Sequence, residues 1–210
     1  SPLRFPERLR FKALDIDDFR INEGEVVALM GHNGAGKSTL INAIAGKMRP
    51  SNGSILVQGT TVHLSGVNPG FDQNLSSRQN LLWLSKIYGC DPSSVISSVE
   101  DFSDIGEAFD RPIRTLSGGM RGRVGFGFAT SLNPQILLID EVLGVGDPSF
   151  KAKATKRLEE MMRNTGIVLI STHSVGLVNS IASRVAVLEN GRLIHDGDVS
   201  KGLALYSAIK

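Results

Sequence analysis

A chain of 210 residues, 41% hydrophobic and 21% charged, is long enough to bury one α/β core, with or without an inserted subdomain. Lys and Arg number 23 against 21 acidic residues; the +2 balance gives no electrostatic reason to expect nucleic acid, and the lone Cys90 excludes an internal disulfide and a cysteine-based zinc site. No apolar run approaches the ~18–20 residues that a membrane span needs, and the start lacks the layout of a signal peptide, so a cytosolic compartment is expected, with Ser1 in place of Met pointing to a processed or trimmed start.

Residues 14–21 alternate between apolar and polar and close at Asn22-Glu23-Gly24, which predicts a strand and a turn. The apolar run 25–30 predicts a buried strand, Gly31-His32-Asn33-Gly34-Ala35-Gly36-Lys37-Ser38-Thr39 a glycine loop, and the residues from Leu40 to Ala45 a helix. Pro50-Ser51-Asn52-Gly53 stops that helix, and residues 54–59 restart a strand. Helix-spaced apolar residues follow at 80–84 and 95–102, separated by the breaker Gly89-Cys90-Asp91-Pro92, which predicts an inserted helical subdomain. Leu116-Ser117-Gly118-Gly119-Met120 leads into a helix predicted from about Arg121. Strand patterning returns at 135–139, followed by a helix over 149–164 and a strand over 167–170. Apolar strands alternating with helices imply a mainly parallel sheet covered on both faces.

The loop between the first buried strand and its helix fits G-x-x-x-x-G-K-[ST]. Its glycines let backbone N–H groups curl around a triphosphate while the helix directs its positive end at the same charge. Lys37 should reach the β- and γ-phosphates and Ser38 should hold Mg²⁺; an ordinary glycine turn would not need Gly, Lys and Ser together at these offsets. Ile136-Leu137-Leu138-Ile139-Asp140-Glu141 is a buried strand ending in two carboxylates, where an open parallel sheet places ligand contacts. Asp140 is expected to help hold Mg²⁺, and Glu141, one residue on, to polarise the attacking water. Ser117, Gly118 and Gly119 form a second cradle at a helix start, which makes sense if they contact the γ-phosphate bound by a neighbouring copy in a two-fold dimer. His173 follows the strand 167–170, where an imidazole can bond the same phosphate.

The phosphate loop, L-S-G-G-M, I-L-L-I-D-E, Gly144-Val145-Gly146-Asp147 and His173 stand in the order found in ATP-binding cassette (ABC) ATPases, and the chain resembles that family over nearly its whole length. The resemblance implies an α/β fold: a P-loop NTPase core with a mainly parallel sheet and an N-terminal antiparallel β portion, over 1–71 and 130–210, and a helical subdomain over 72–129. It also implies ATP and Mg²⁺ as ligands, a homodimer formed on ATP binding, and an integral membrane permease as partner. Within it, Glu141 is the catalytic base, His173 the γ-phosphate switch, and Asp147 part of a loop communicating across the dimer. Met120 where Gln is usual, Val145-Gly146-Asp147, and the segment from Gly70 to Asn80 are similar to the subunits that export capsule, O-antigen or teichoic-acid polymers. That likeness implies an ATPase peripheral on the inner face of the cell membrane, handling polysaccharide through its permease, with no room past Lys210 for a carbohydrate-binding extension. The cassette does not name its cargo, so an importer or small-molecule exporter is the alternative, and a non-transport ABC ATPase a more distant one.

Two assignments stay open within the resemblance. The residue stacking on adenine is Phe5 or Phe11, and the residue of the segment linking core to helices that contacts Mg²⁺ and water is Asp72 or Gln73. Trp83, among Leu81, Leu82 and Leu84, is read as core ahead of a docking surface; Lys151, Lys153, Lys156 and Arg157 as a solvated helix face; and His63 and Cys90 as structural.

Overall fold

The computed structural model describes residues 12–64, 69–140 and 148–209; Phe5, Phe11, Glu141 and the stretch from Gly144 to Asp147 lie outside them. The elements in order are β1 (Val26–Met30), α1 (Lys37–Ile44), β2 (Thr61–Leu64), α2 (Ser77–Ile87), α3 (Pro92–Ser103), α4 (Gly118–Ser131), β3 (Ile136–Asp140), α5 (Pro148–Arg163), β4 (Ile167–Ser171), α6 (Val175–Ile181), β5 (Arg184–Glu189), β6 (Arg192–Gly197) and α7 (Val199–Ala208). Six strands make one sheet in the order β2-β3-β4-β1-β5-β6, parallel except for the β5–β6 hairpin.

Strand alternation sorts the core into two layers. Val27 and Leu29 of β1 face Leu40 and Ile41 of α1, together with Leu138, Leu169 and Leu188, while Ala28 and Met30 face the opposite side with Leu137, Ile139, Val168 and Val187. Both sides of the sheet are therefore apolar, which is why these strands read as continuous runs rather than alternating ones.

The expected strand over 14–21 is not a strand. Its apolar residues Leu14, Ile16, Phe19 and Ile21 pack on the α1 side of the sheet, which accounts for the alternation, but the backbone joins no ladder among the described residues. Residues 54–59 likewise form no strand; Leu56 is 83% exposed, and the chain enters the sheet only at Thr61–Leu64, where Val62 and Leu64 are buried beside β3. Alternation selects extended backbone, but a strand also needs a neighbour to bond. The antiparallel pairing seen in the described sheet is the β5–β6 hairpin near the C-terminus.

The helical segment follows its caps. Ser76 and Gln79 close a reciprocal capping box at α2, and Asp91 caps α3 ahead of Pro92. Arg78 ties three pieces together, its guanidinium donating to Glu100 of α3 at 2.6 Å and to Asp110 at 2.8 Å, and that bond holds the Asp110 carboxyl below the usual carboxylate range. α4 starts at Gly118, three residues before the expected point, because the Ser117 hydroxyl accepts from the Met120 N–H at 3.2 Å and caps it. Its glycines oppose helix formation by roughly 1 kcal/mol each, yet at Gly127 a β carbon would sit 3.0 Å from the Phe102 ring, so the missing side chain is what brings α3 and α4 together. Trp83 is not core. Leu81 and Leu84 point inward, which rotates Trp83 and Ile87 to the opposite face, and Trp83 is 67% exposed.

His63 on β2 has both ring nitrogens shielded and without a hydrogen-bond partner among the described residues. Burial, reinforced by the Lys47 charge and partly opposed by Asp140, pushes its pKa below the ordinary 6.5. Between the folded and ordinary values the unfolded chain binds the extra proton, so this contribution to stability is fully present above pH ~6.5 and is lost as pH falls below it. Thermal unfolding of His63→Leu is expected to show a smaller loss of Tm between pH 7.5 and 5.5 than the parent chain; parallel losses would remove His63 from the acid response.

Candidate functional site

The glycine loop leaves β1 at the carboxyl edge of the sheet and enters α1 at Lys37. Gly31 has φ +152, and a β carbon there would collide with the Leu188 carbonyl at the end of β5; Gly36 has φ +106, with the Leu14 side chain 2.8 Å from where its β carbon would lie. Side chains are thus excluded by backbone conformation and by packing. Ala35 donates to the His32 carbonyl at 3.2 Å and accepts from the Gly191 N–H at 3.0 Å, so the turn of the β5–β6 hairpin braces the loop from beneath. Asn33 and Gly34 form its exposed tip.

Lys37 is only 7% exposed, and its ammonium donates to the Gly31 carbonyl at 2.7 Å and the His32 carbonyl at 2.9 Å. The amine is held across the mouth of the loop. Gly36 gives α1 no side-chain cap and its first turn carries no acidic residue, so the helix start offers positive potential to an anion. Ser38 is exposed and Thr39 half-buried in that first turn.

Sheet register brings the other groups to the same edge. Leu29 of β1 pairs with Ser171 of β4, and Ser171 pairs with Asp140 of β3, so one row across three strands ends in the phosphate loop, the 172–174 turn and a carboxylate. Asp140 closes β3 half-buried. His173 sits in the turn between β4 and α6, with Ser174 capping α6 by accepting from the Leu177 N–H at 3.3 Å. Its Nδ1 lies 2.8 Å from the Tyr206 hydroxyl on α7. A carboxylate and a hydroxyl are hard oxygen donors, too few for an all-protein cage but suited to Mg²⁺ that keeps phosphate and water ligands.

The Gln73 segment is bonded to residues 113–114, just ahead of Ser117. The Gln73 side chain bonds the Phe71 carbonyl at 3.4 Å, while its own carbonyl accepts from Arg114 N–H at 3.0 Å; Leu75 accepts from Ile113 at 2.9 Å. The stretch before Ser117 is therefore laced to the stretch before α2. Asp72 turns its carboxylate on the Asn74 N–H at 2.8 Å. Ser117, Gly118 and Gly119 are exposed at the start of α4, which packs on α3 and α5. Three further residues or turns contribute that the sequence pattern does not mark as functional. Buried Asn80 donates to the carbonyls of Asp72, Leu75 and Ser76 and accepts from the Asp72 N–H, fixing the Gln73 segment. Asn190-Gly191, a strong hairpin signal, supports the phosphate loop. Tyr206 meets His173 only through the fold.

A phosphate loop between β1 and α1, Asp140 and His173 on one sheet edge, and a serine-capped glycine turn on a separate helix are the parts of an ABC-type ATPase domain. The chain belongs to the ABC transporter family, whose profile matches residues 14–144. It is 36% identical over 200 residues to the O-antigen export system ATP-binding protein RfbB of Klebsiella pneumoniae, covering 94% of this chain and 81% of that protein. It is also 35% identical over 199 residues to the teichoic acids export ATP-binding protein TagH of Bacillus cereus, covering 93% of this chain and 36% of that protein. Among solved structures, an ATP-binding subunit of an ABC transporter, 26% identical, aligns with a TM-score of 0.73 over 91% of this chain and 85% of its own. None of the described helices is long and apolar enough to cross a membrane.

Proposed function

We propose that this chain is the ATP-hydrolysing subunit of an exporter that moves a cell-surface polysaccharide across the cytoplasmic membrane, held on the inner face by an integral permease. The observation that carries this reading is the 36% and 35% identity, over more than nine-tenths of the chain, to ATP-binding proteins of O-antigen and teichoic-acid export.

In this reading two copies close head to tail on two ATP. Gly31, His32, Asn33, Gly34, Ala35 and Gly36 wrap the phosphates with backbone N–H groups, and Lys37 exchanges its loop carbonyls for the β- and γ-phosphates, a charge-assisted contact stronger than the one it leaves. Thr39 contributes from the first turn of α1. Ser38 and Asp140 would hold Mg²⁺, with Gln73 adding a contact on closure; when bound, Mg²⁺ neutralises phosphate charge. Glu141 takes a proton from the attacking water, His173 donates to the γ-phosphate, and Ser117, Gly118 and Gly119 contact the nucleotide of the other copy. Hydrolysis then reopens the pair. We assign 1–71 and 130–210 to the nucleotide-binding core and 72–129 to the helical subdomain that meets the permease.

The exposed face of α2 supplies the test. Replacing Trp83, 67% exposed, by Ala removes little buried packing, so Tm and the purified chain's ATP hydrolysis should stay near their starting values, within the ~0.5 kcal/mol typical of surface changes. Cells that make only Trp83→Ala should carry less surface polysaccharide and accumulate the polymer inside, because an anchor residue is missing from the permease contact. Full surface polysaccharide in cells lacking the chain altogether would contradict the export role, and full export with Trp83→Ala would remove this face from the contact.

A further inference from the structure

We infer that Tyr206 is a positioning residue for His173: its hydroxyl donates to Nδ1, so that the neutral imidazole carries its proton on Nε2 and presents an N–H donor to the γ-phosphate. This rests on the reading above, in which His173 contacts that phosphate.

The geometry begins with α7. Asp198 caps it by accepting from the Lys201 N–H at 2.9 Å, and His195 bonds the Asp198 carbonyl at 3.0 Å, which fixes the helix start against the end of β6. Gly202 then lies so close to the sheet that a β carbon would stand 2.5 Å from Val185 Cγ1 and 2.9 Å from His195 Cδ2. Only glycine allows this approach. It brings the next turn of the helix down on the core, burying Leu203 and leaving Tyr206 just 2% exposed. A buried tyrosine carries a hydroxyl that must find a partner, and Tyr206 has one in His173 Nδ1, 2.8 Å away and 33 residues earlier in the chain.

The direction of that bond decides what His173 can do. A neutral imidazole has one donor and one acceptor nitrogen. If Nδ1 donated to the tyrosine oxygen, Nε2 would carry a lone pair and repel a phosphate oxygen. With the tyrosine as donor, Nε2 bears the proton. The hydroxyl can donate or accept; in the proposed direction it donates to Nδ1, supports the tautomer that serves the phosphate and holds the ring against rotation, from a helix that has no part in the phosphate loop.

The test is Tyr206→Phe, which keeps the ring in the core. The turnover number should fall about 3- to 10-fold, the worth of one hydrogen bond, with KM for ATP and Tm nearly unchanged. In ¹⁵N-histidine-labelled protein, the His173 signals, identified by their loss in His173→Ala, should show Nδ1 as acceptor and Nε2 protonated in the parent chain and a mixture of tautomers in Tyr206→Phe. A parent chain protonated on Nδ1, or an unchanged tautomer in Tyr206→Phe whatever its turnover, overturns the inference. The two layers separate cleanly. Full turnover in His173→Ala refutes the γ-phosphate role and this inference with it, whereas lost turnover there beside full turnover in Tyr206→Phe refutes only the part given to Tyr206.

Discussion

Lys37→Ala is expected to weaken ATP binding by about 10²- to 10⁴-fold, the loss of two hydrogen bonds to charged oxygens. The ammonium already lies across the mouth of the loop, within 2.9 Å of the Gly31 and His32 carbonyls, and needs only to exchange those weaker acceptors for phosphate. Folding should suffer far less. The loop keeps its shape through excluded side chains at Gly31 and Gly36 and through the Gly191 bond to Ala35, none of which involves Lys37, so the cost is that of one or two hydrogen bonds, roughly 1–2 kcal/mol. Calorimetric titration with ATP, beside thermal unfolding, checks both halves; unchanged affinity would remove the phosphate-binding role from the loop.

What could be read in advance was whatever local chemistry dictates. A buried strand, a glycine loop and a helix in sequence define their own geometry, and a carboxylate at the end of an apolar strand lies at the ligand edge of any parallel sheet, as Asp140 does. The breaker between Gly89 and Pro92 separated α2 from α3 as expected, because Asp91 and Pro92 are a cap and a first helical residue. The failures arose where a partner decides. Residues 14–21 and 54–59 have strand patterning but no ladder neighbour in the described structure, and the pattern alone does not reveal that. Trp83 sits between two inward-facing leucines, and only the phase of α2, set by Leu81 and Leu84 together, turns it outward. Ser117 is a strong cap, so a start of α4 at Gly118 rather than near Arg121 was legible in the sequence, although Gly118 and Gly119 are poor helix formers. The Asn190-Gly191 turn was equally legible as a hairpin. Its hold on Ala35, like the meeting of Tyr206 with His173, belongs to tertiary structure and leaves no trace in spacing.

Glu141→Gln is expected to slow ATP hydrolysis by about 10²-fold or more while leaving ATP binding intact, because the amide keeps the shape of the side chain and cannot take the proton from water. Its neighbour Asp140 ends β3 at the phosphate-loop edge, and the proposed reading gives the base role to Glu141, the next residue in the sequence. Wild-type turnover in this variant would exclude Glu141 as the base.

The same variant gives the most direct measurement of the central claim, that two copies of this chain share each ATP. If Ser117, Gly118 and Gly119 bind the nucleotide held by the other copy, stopping hydrolysis must trap the closed pair. Sedimentation of Glu141→Gln with ATP and Mg²⁺ should give a dimer carrying two ATP, and removal of ATP should return it to the smaller species. A chain that binds ATP with full affinity and sediments as a monomer at every concentration would contradict the shared site.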